Sequence, residues 1–119
     1  MDLQKKVAGE EAKYFEDLLK YAARIREIAR KLLGDPNLKV LVFGSAARGE
    51  AIPGKSDIDV LVVSRKAPVS SRRQAELRVE ILAGLGDLLA PFEIHIVTPE
   101  IYEKWYKRRI DKVIIPPEM

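Results

Sequence analysis

The chain has 119 residues, 47% apolar and 33% charged, with 21 Lys and Arg against 18 Asp and Glu for a formal charge of +3. That length suits one domain with a single core, the apolar share excludes disorder and fibrous repeats, and the absence of cysteine excludes disulfides, thiol catalysis and cysteine-ligated zinc. The small net charge does not assert a nucleic-acid partner, and no apolar run approaches the ~20 residues of a membrane span.

The amino-terminal Met1-Asp2-Leu3-Gln4-Lys5-Lys6 lacks the apolar stretch of a signal peptide, so a soluble, cytoplasmic protein is expected. From Glu10 to Leu33 the apolar positions Phe15, Leu18, Leu19, Ala22, Ile25, Ala29 and Leu32 recur at three and four, which predicts one long helix. Glu16–Lys20 and Glu27–Lys31 are spaced as ion pairs on its outer face, and Gly34-Asp35-Pro36 ends it. Two short Val- and Leu-rich strands follow, at Leu38–Phe43 and Ile58–Val63. Ser71-Arg72-Arg73-Gln74 fits a capping box, so a helix is expected from about Arg72, burying Leu77, Ile81, Leu85, Leu88 and Leu89. Phe92–Val97 alternates with period two and reads as a third strand. Thr98 as N-cap and Pro99 at the first helical position start a last helix running to about Arg109. Val113-Ile114-Ile115 reads as a short edge strand stopped by Pro116-Pro117. This order of elements predicts a small sheet with helices packed on it.

Chemistry concentrates in Phe43-Gly44-Ser45-Ala46-Ala47-Arg48-Gly49 and in Asp57-Ile58-Asp59-Val60. Gly44 leaves a buried strand at a turn where a bulky side chain would obstruct a ligand. The small residues Ser45, Ala46 and Ala47 let backbone N–H groups face a phosphate, and the Arg48 guanidinium can pair with phosphate oxygens. Asp57 and Asp59, at i and i+2, project to one face at the start of the second strand. Two adjacent carboxylates repel unless a cation sits between them, and Mg2+ favours a few carboxylates together with water and substrate phosphates. A phosphate cradle beside such a pair is what phosphoryl or nucleotidyl transfer requires.

With Gly44-Ser45-Ala46-Ala47-Arg48-Gly49 and Ser56-Asp57-Ile58-Asp59-Val60-Leu61-Val62, the stretch from Val40 to about Arg109 resembles the nucleotidyltransferase superfamily of DNA polymerase beta, and within it the minimal nucleotidyltransferases of archaea and bacteria. The resemblance implies an α/β fold with a small mixed sheet, helices mainly on one face, a long N-terminal helix over residues 1–34 and a catalytic core over 38–115. It implies transfer of a nucleoside monophosphate, AMP from ATP, to an acceptor hydroxyl with Mg2+ or Mn2+ held by Asp57 and Asp59. Gly44, Ser45, Arg48 and Ser56 become nucleotide-binding positions. The family's third acidic residue is assigned to Glu93, as metal ligand or base. Aligning on Val97-Thr98-Pro99 instead sets His95 at that position, where it lines the site or touches phosphate.

The chain has no room for a separate acceptor-binding domain, so recognition is expected from a partner or a second copy. By resemblance that partner is a HEPN-domain protein of a toxin–antitoxin module. Two alternatives accompany the enzyme: an antitoxin-type module that neutralises such a toxin by binding alone, and a nucleotide-sensing regulator. The plainer readings assign Lys104, Lys107, Arg108 and Arg109 to a solvated face, Arg72 and Arg73 to a helix surface, and Trp105 to the core or an interface. The long first helix reads most simply as an element covering the core, with Tyr14 and Tyr21, seven apart, offering the alternative of a flank for association.

Overall fold

The computed structural model describes residues 3–118; Met1, Asp2 and Met119 lie outside the described residues. In chain order the elements are α1 (Leu3–Glu16), α2 (Leu18–Leu33), β1 (Lys39–Phe43), the single turn α3 (Gly44–Ala47), β2 (Ile58–Val63), α4 (Ser71–Leu85), β3 (Phe92–Val97) and the short α5 (Pro99–Ile101). A π-helical turn, Tyr102–Tyr106, continues from α5. The strands stand in the order β1-β2-β3, with β1 antiparallel to β2 and β2 parallel to β3. The parallel step requires a crossover, and α4 provides it. None of the described helices is long and apolar enough to cross a membrane.

Both sheet faces are covered. On one, Val40, Val42, Val60, Val62, Ile94 and Ile96 are buried with Ala22, Ile25 and Ala29 of α2 and Leu77, Ile81 and Leu85 of α4. On the other, Leu41, Leu61, Val63 and Val97 lie beneath Tyr102, Tyr106 and Ile110. Burial from both sides explains why β1 and β2 read as nearly continuous apolar runs. The longer helices lie on the first face, as expected of this mixed α/β class.

The long N-terminal helix is in fact two. Asp17, at φ −109° and ψ 39°, leaves the helical region, although Lys13 O and Asp17 O keep their bonds to Asp17 N and Tyr21 N. Tertiary contacts hold α1 at its new angle: Gly54 N donates to Glu11 Oε1, and the Gly54 backbone packs directly on Ala8. Tyr14 is buried rather than marking an association flank. Its ring meets Tyr21 and Phe92 edge-on at 4.8 and 5.4 Å, and its hydroxyl donates to Asp87. Burial and the Asp87 carboxylate push that phenol above its ordinary pKa.

Other boundaries also move. Glu27 pairs with Arg30 at 3.5 Å and Arg26 at 3.8 Å, not with Lys31, and no Glu16–Lys20 ion pair forms among the described residues. Leu19 and Leu32 are exposed, so the buried stripe of α2 is narrower than the periodicity suggests. The cap of α4 is Ser70, whose hydroxyl accepts from Arg73 N, and Gly86 at φ +93° closes the helix in a left-handed turn. Leu88 and Leu89, expected in the stripe, therefore lie beyond the helix and are exposed. Thr98 caps α5 as expected, but Lys107 N then reaches back to Tyr102 O, a five-residue step, and the expected helix to Arg109 becomes the π-turn. The expected edge strand is reduced to one bridge, Ile114 with Val42, its two N–O distances both 2.8 Å.

The following segment is tied across α2 by a residue that sequence patterning passes over. Arg26, only 4% exposed, donates to Pro116 O at 2.7 Å and Pro117 O at 2.9 Å, while Arg30 meets Glu118 at 2.6 Å. Arg72 is a helix-surface charge as expected. Lys104 and Lys107 pair with Glu100 and Glu103 on an exposed face.

Candidate active site

Strand register builds the site. Alternate residues of a strand share a face, so Phe43, Asp59 and Glu93, cross-strand partners in one row, point to the same side. The next row on that side is Leu41, Leu61 and His95, and then Lys39, Val63 and Val97. The carboxylates of this face gather where β1 ends and β2 and β3 begin, with His95 in the next row and apolar residues beyond it except Lys39 at the far edge.

At that polar end Asp59, Glu93 and His95 each offer a donor atom, all within 4.8 Å of one another. His95 Nε2 is 3.9 Å from Asp59 Oδ1 and 3.7 Å from Glu93 Oε1. Glu93 and His95, alternatives for one position in the sequence, therefore enter the same cluster. The imidazole is bordered by aromatic rings, Phe43 at 5.5 Å and Tyr106 at 6.0 Å between centroids. Burial holds the Asp59 carboxyl above its ordinary pKa, the negative charge of Glu93 adds to this, and His95 works against it. A divalent cation relieves that repulsion, and two carboxylates with one imidazole are a donor set that fits one.

The bend after β1 is shaped by the same carboxylate. Gly44 has φ +73°, and a Cβ there would collide with Asp59 Oδ2. Glycine alone lets the chain turn into α3 directly against Asp59. Ser45 is half-buried in that turn, its carbonyl accepting from Glu50 N at 2.9 Å. Arg48 follows, exposed, its Nε 3.0 Å from Glu50 Oε2. Beside the bend opens a cleft of about 530 Å³, lined by Phe43, Gly44, Arg48, Trp105, Tyr106 and Arg109 among others.

Two expected site residues stand apart from the three donors. Asp57 is exposed and precedes the first strand residue, outside the compact set, though its charge still raises Asp59 slightly. Ser56 closes the loop before β2, its hydroxyl accepting from Ile52 N at 3.0 Å. Trp105 is not in the core: it is 57% exposed on the cleft wall, with the Arg109 guanidinium 5.0 Å above its ring. Phe43 and Tyr106 were not singled out as site residues. The signals were a strand-end aromatic in phase with Leu41 and a tyrosine four residues after Tyr102.

Solved structures share this fold. One, a candidate nucleotidyltransferase from Sulfolobus solfataricus, aligns with a TM-score of 0.53 at 21% identity over 88% of this chain and 84% of its own. A second candidate nucleotidyltransferase aligns with a TM-score of 0.51 at 27% identity, covering 78% of this chain and 94% of that one. No curated protein matches the chain significantly. The sequence profile of the nucleotidyltransferase domain matches residues 22–115, from the second turn of α2 through the Ile114 bridge, and takes in every residue of the bend and the donor cluster. On that match the chain belongs to the nucleotidyltransferase-domain family, of the polymerase-beta-like superfamily.

Proposed function

We propose that the chain transfers a nucleoside monophosphate, AMP from ATP, to a hydroxyl on a partner protein. The observation that carries this reading is the convergence of Asp59, Glu93 and His95 directly beside the Gly44 bend and its open cleft. Gly44, Ser45 and Arg48 grip the β- and γ-phosphates, with the Ser56-closed loop alongside, and the α-phosphorus is presented in line. Asp59 and Glu93, with Asp57 at the approach, would hold divalent cations, Mg2+ or Mn2+, which would supply charge neutralisation and a more acidic acceptor hydroxyl. Glu93, the more exposed carboxylate, either completes the ion's shell or receives the acceptor proton. The acceptor oxygen bonds to the α-phosphorus as the bond from that phosphorus to the bridging oxygen breaks, and pyrophosphate leaves. Acceptor recognition falls to a HEPN-domain partner or to a second copy of the chain.

A second reading has one observation in its favour: an imidazole shares the cluster with the carboxylates, and Asp57 stands outside it. In that reading the chain neutralises a HEPN-domain toxin by binding alone. Incubation with α-labelled ATP, a divalent cation and a HEPN-domain partner separates the two. Label on the partner that is lost in Asp57→Ala and Asp59→Ala supports transfer. A tight complex unaffected by those changes, with no label moved, supports binding alone.

A further inference from the structure

We infer that His95 is a direct metal ligand and that it shifts the site's preference from Mg2+ towards a first-row transition ion, for which Mn2+ is the probe. The inference rests on the reading of this cluster as a metal-dependent transfer centre, and adds what the imidazole does there.

The geometry is specific to the imidazole. Its Nε2 lies near both carboxylates, 3.9 Å from Asp59 Oδ1 and 3.7 Å from Glu93 Oε1. Donors bound at ~2.1 Å to one ion stand roughly 3 to 3.4 Å apart in octahedral or tetrahedral arrangements, so closure needs movements of about 0.3 to 0.9 Å at the two His95 contacts. Glu93 is exposed and free to make them, while the Phe43 and Tyr106 rings border the imidazole on other sides. No hydrogen bond from a protein group occupies Nε2 among the described residues; its partners are those two carboxylates at ion-pair distance. Mg2+ favours an all-oxygen shell, whereas imidazole nitrogen is a good donor to transition ions, so this ligand set discriminates between them.

His95 is the chain's single histidine, which makes the test unambiguous. The purified protein is titrated with Mn2+ alone, free ion being followed by electron paramagnetic resonance, with and without competing Mg2+. The bound ion is then examined by spin-echo modulation for directly coordinated imidazole nitrogen. The expected result is strong imidazole 14N modulation, absent in His95→Gln, and a Mn2+-over-Mg2+ preference that falls at least about tenfold in His95→Asp. Bound Mn2+ without imidazole coupling in the wild-type protein, or an unchanged preference in His95→Asp, overturns the inference. Neither readout depends on turnover: coupling without label transfer leaves the ligand assignment standing and removes the transferase reading, and transfer without coupling does the reverse.

Discussion

Asp59 is placed under electrostatic conflict, because the fold partly buries it beside Glu93 and brings Gly44 against it. Its folded pKa is raised above the ordinary 3.8, so the folded state holds this proton more tightly than the unfolded chain does. Stability of the metal-free protein therefore has an Asp59 component that is present at low pH and lost as pH rises from about 3.8 through the raised value. Asp59→Asn should remove that component. In chelator, urea unfolding at a series of pH values should show the variant gaining on the wild type as pH rises, while label transfer falls by at least about 100-fold. A variant that loses stability at neutral pH would contradict the electrostatic account. Gly44→Ala tests the same contact from the other side: a left-handed backbone costs a non-glycine residue about 1–2 kcal/mol, and the new methyl displaces the carboxylate. Chemical denaturation should detect that loss together with weakened Mn2+ binding.

Among elements, α4 depends on which serine caps it. Ser70 and Ser71 are adjacent and chemically alike, but only the Ser70 hydroxyl accepts from Arg73 N. Ser70→Ala should cost about 1 kcal/mol, and Ser71→Ala, at an exposed first-turn position, much less. Equal losses in thermal unfolding would mean the cap is shared. The π-turn after α5 matters for the site, because its widened step accompanies the packing of the partly buried Tyr102 and Tyr106 against the sheet and brings the Tyr106 ring to His95. Loss of that ring in Tyr106→Ala should loosen the imidazole and lower Mn2+ affinity without changing the identity of the ligands.

For the molecule as a whole, the segment after the Ile114 bridge closes the fold over α2. Its fastening is a buried guanidinium donating to two backbone carbonyls, at Pro116 and Pro117, in a stretch where proline nitrogens have no hydrogen to offer a sheet. Charged hydrogen bonds of this kind contribute ~1.5–3 kcal/mol each, so losing both in Arg26→Ala should destabilise the protein by about 3–6 kcal/mol. Hydrogen exchange should place the increased opening at Val42 and Ile114, whose paired amides the segment protects.

The sequence by itself determined the three strands, the caps at Thr98 and Gly34, and the bend-plus-carboxylate motif of Gly44-Ser45 and Asp57-x-Asp59. Those signals are short-range: apolar alternation, a hydroxyl three residues ahead of an amide, a glycine where a strand must turn. Tertiary structure alone decided the rest. Whether Glu93 or His95 met Asp59 depended on the parallel register of β2 with β3, and both did because one row sets Glu93 opposite and the next sets His95 diagonally. The break at Asp17, the exposure of Trp105 and the burial of Arg26 were equally illegible, since each is fixed by partners far along the chain that no local periodicity encodes.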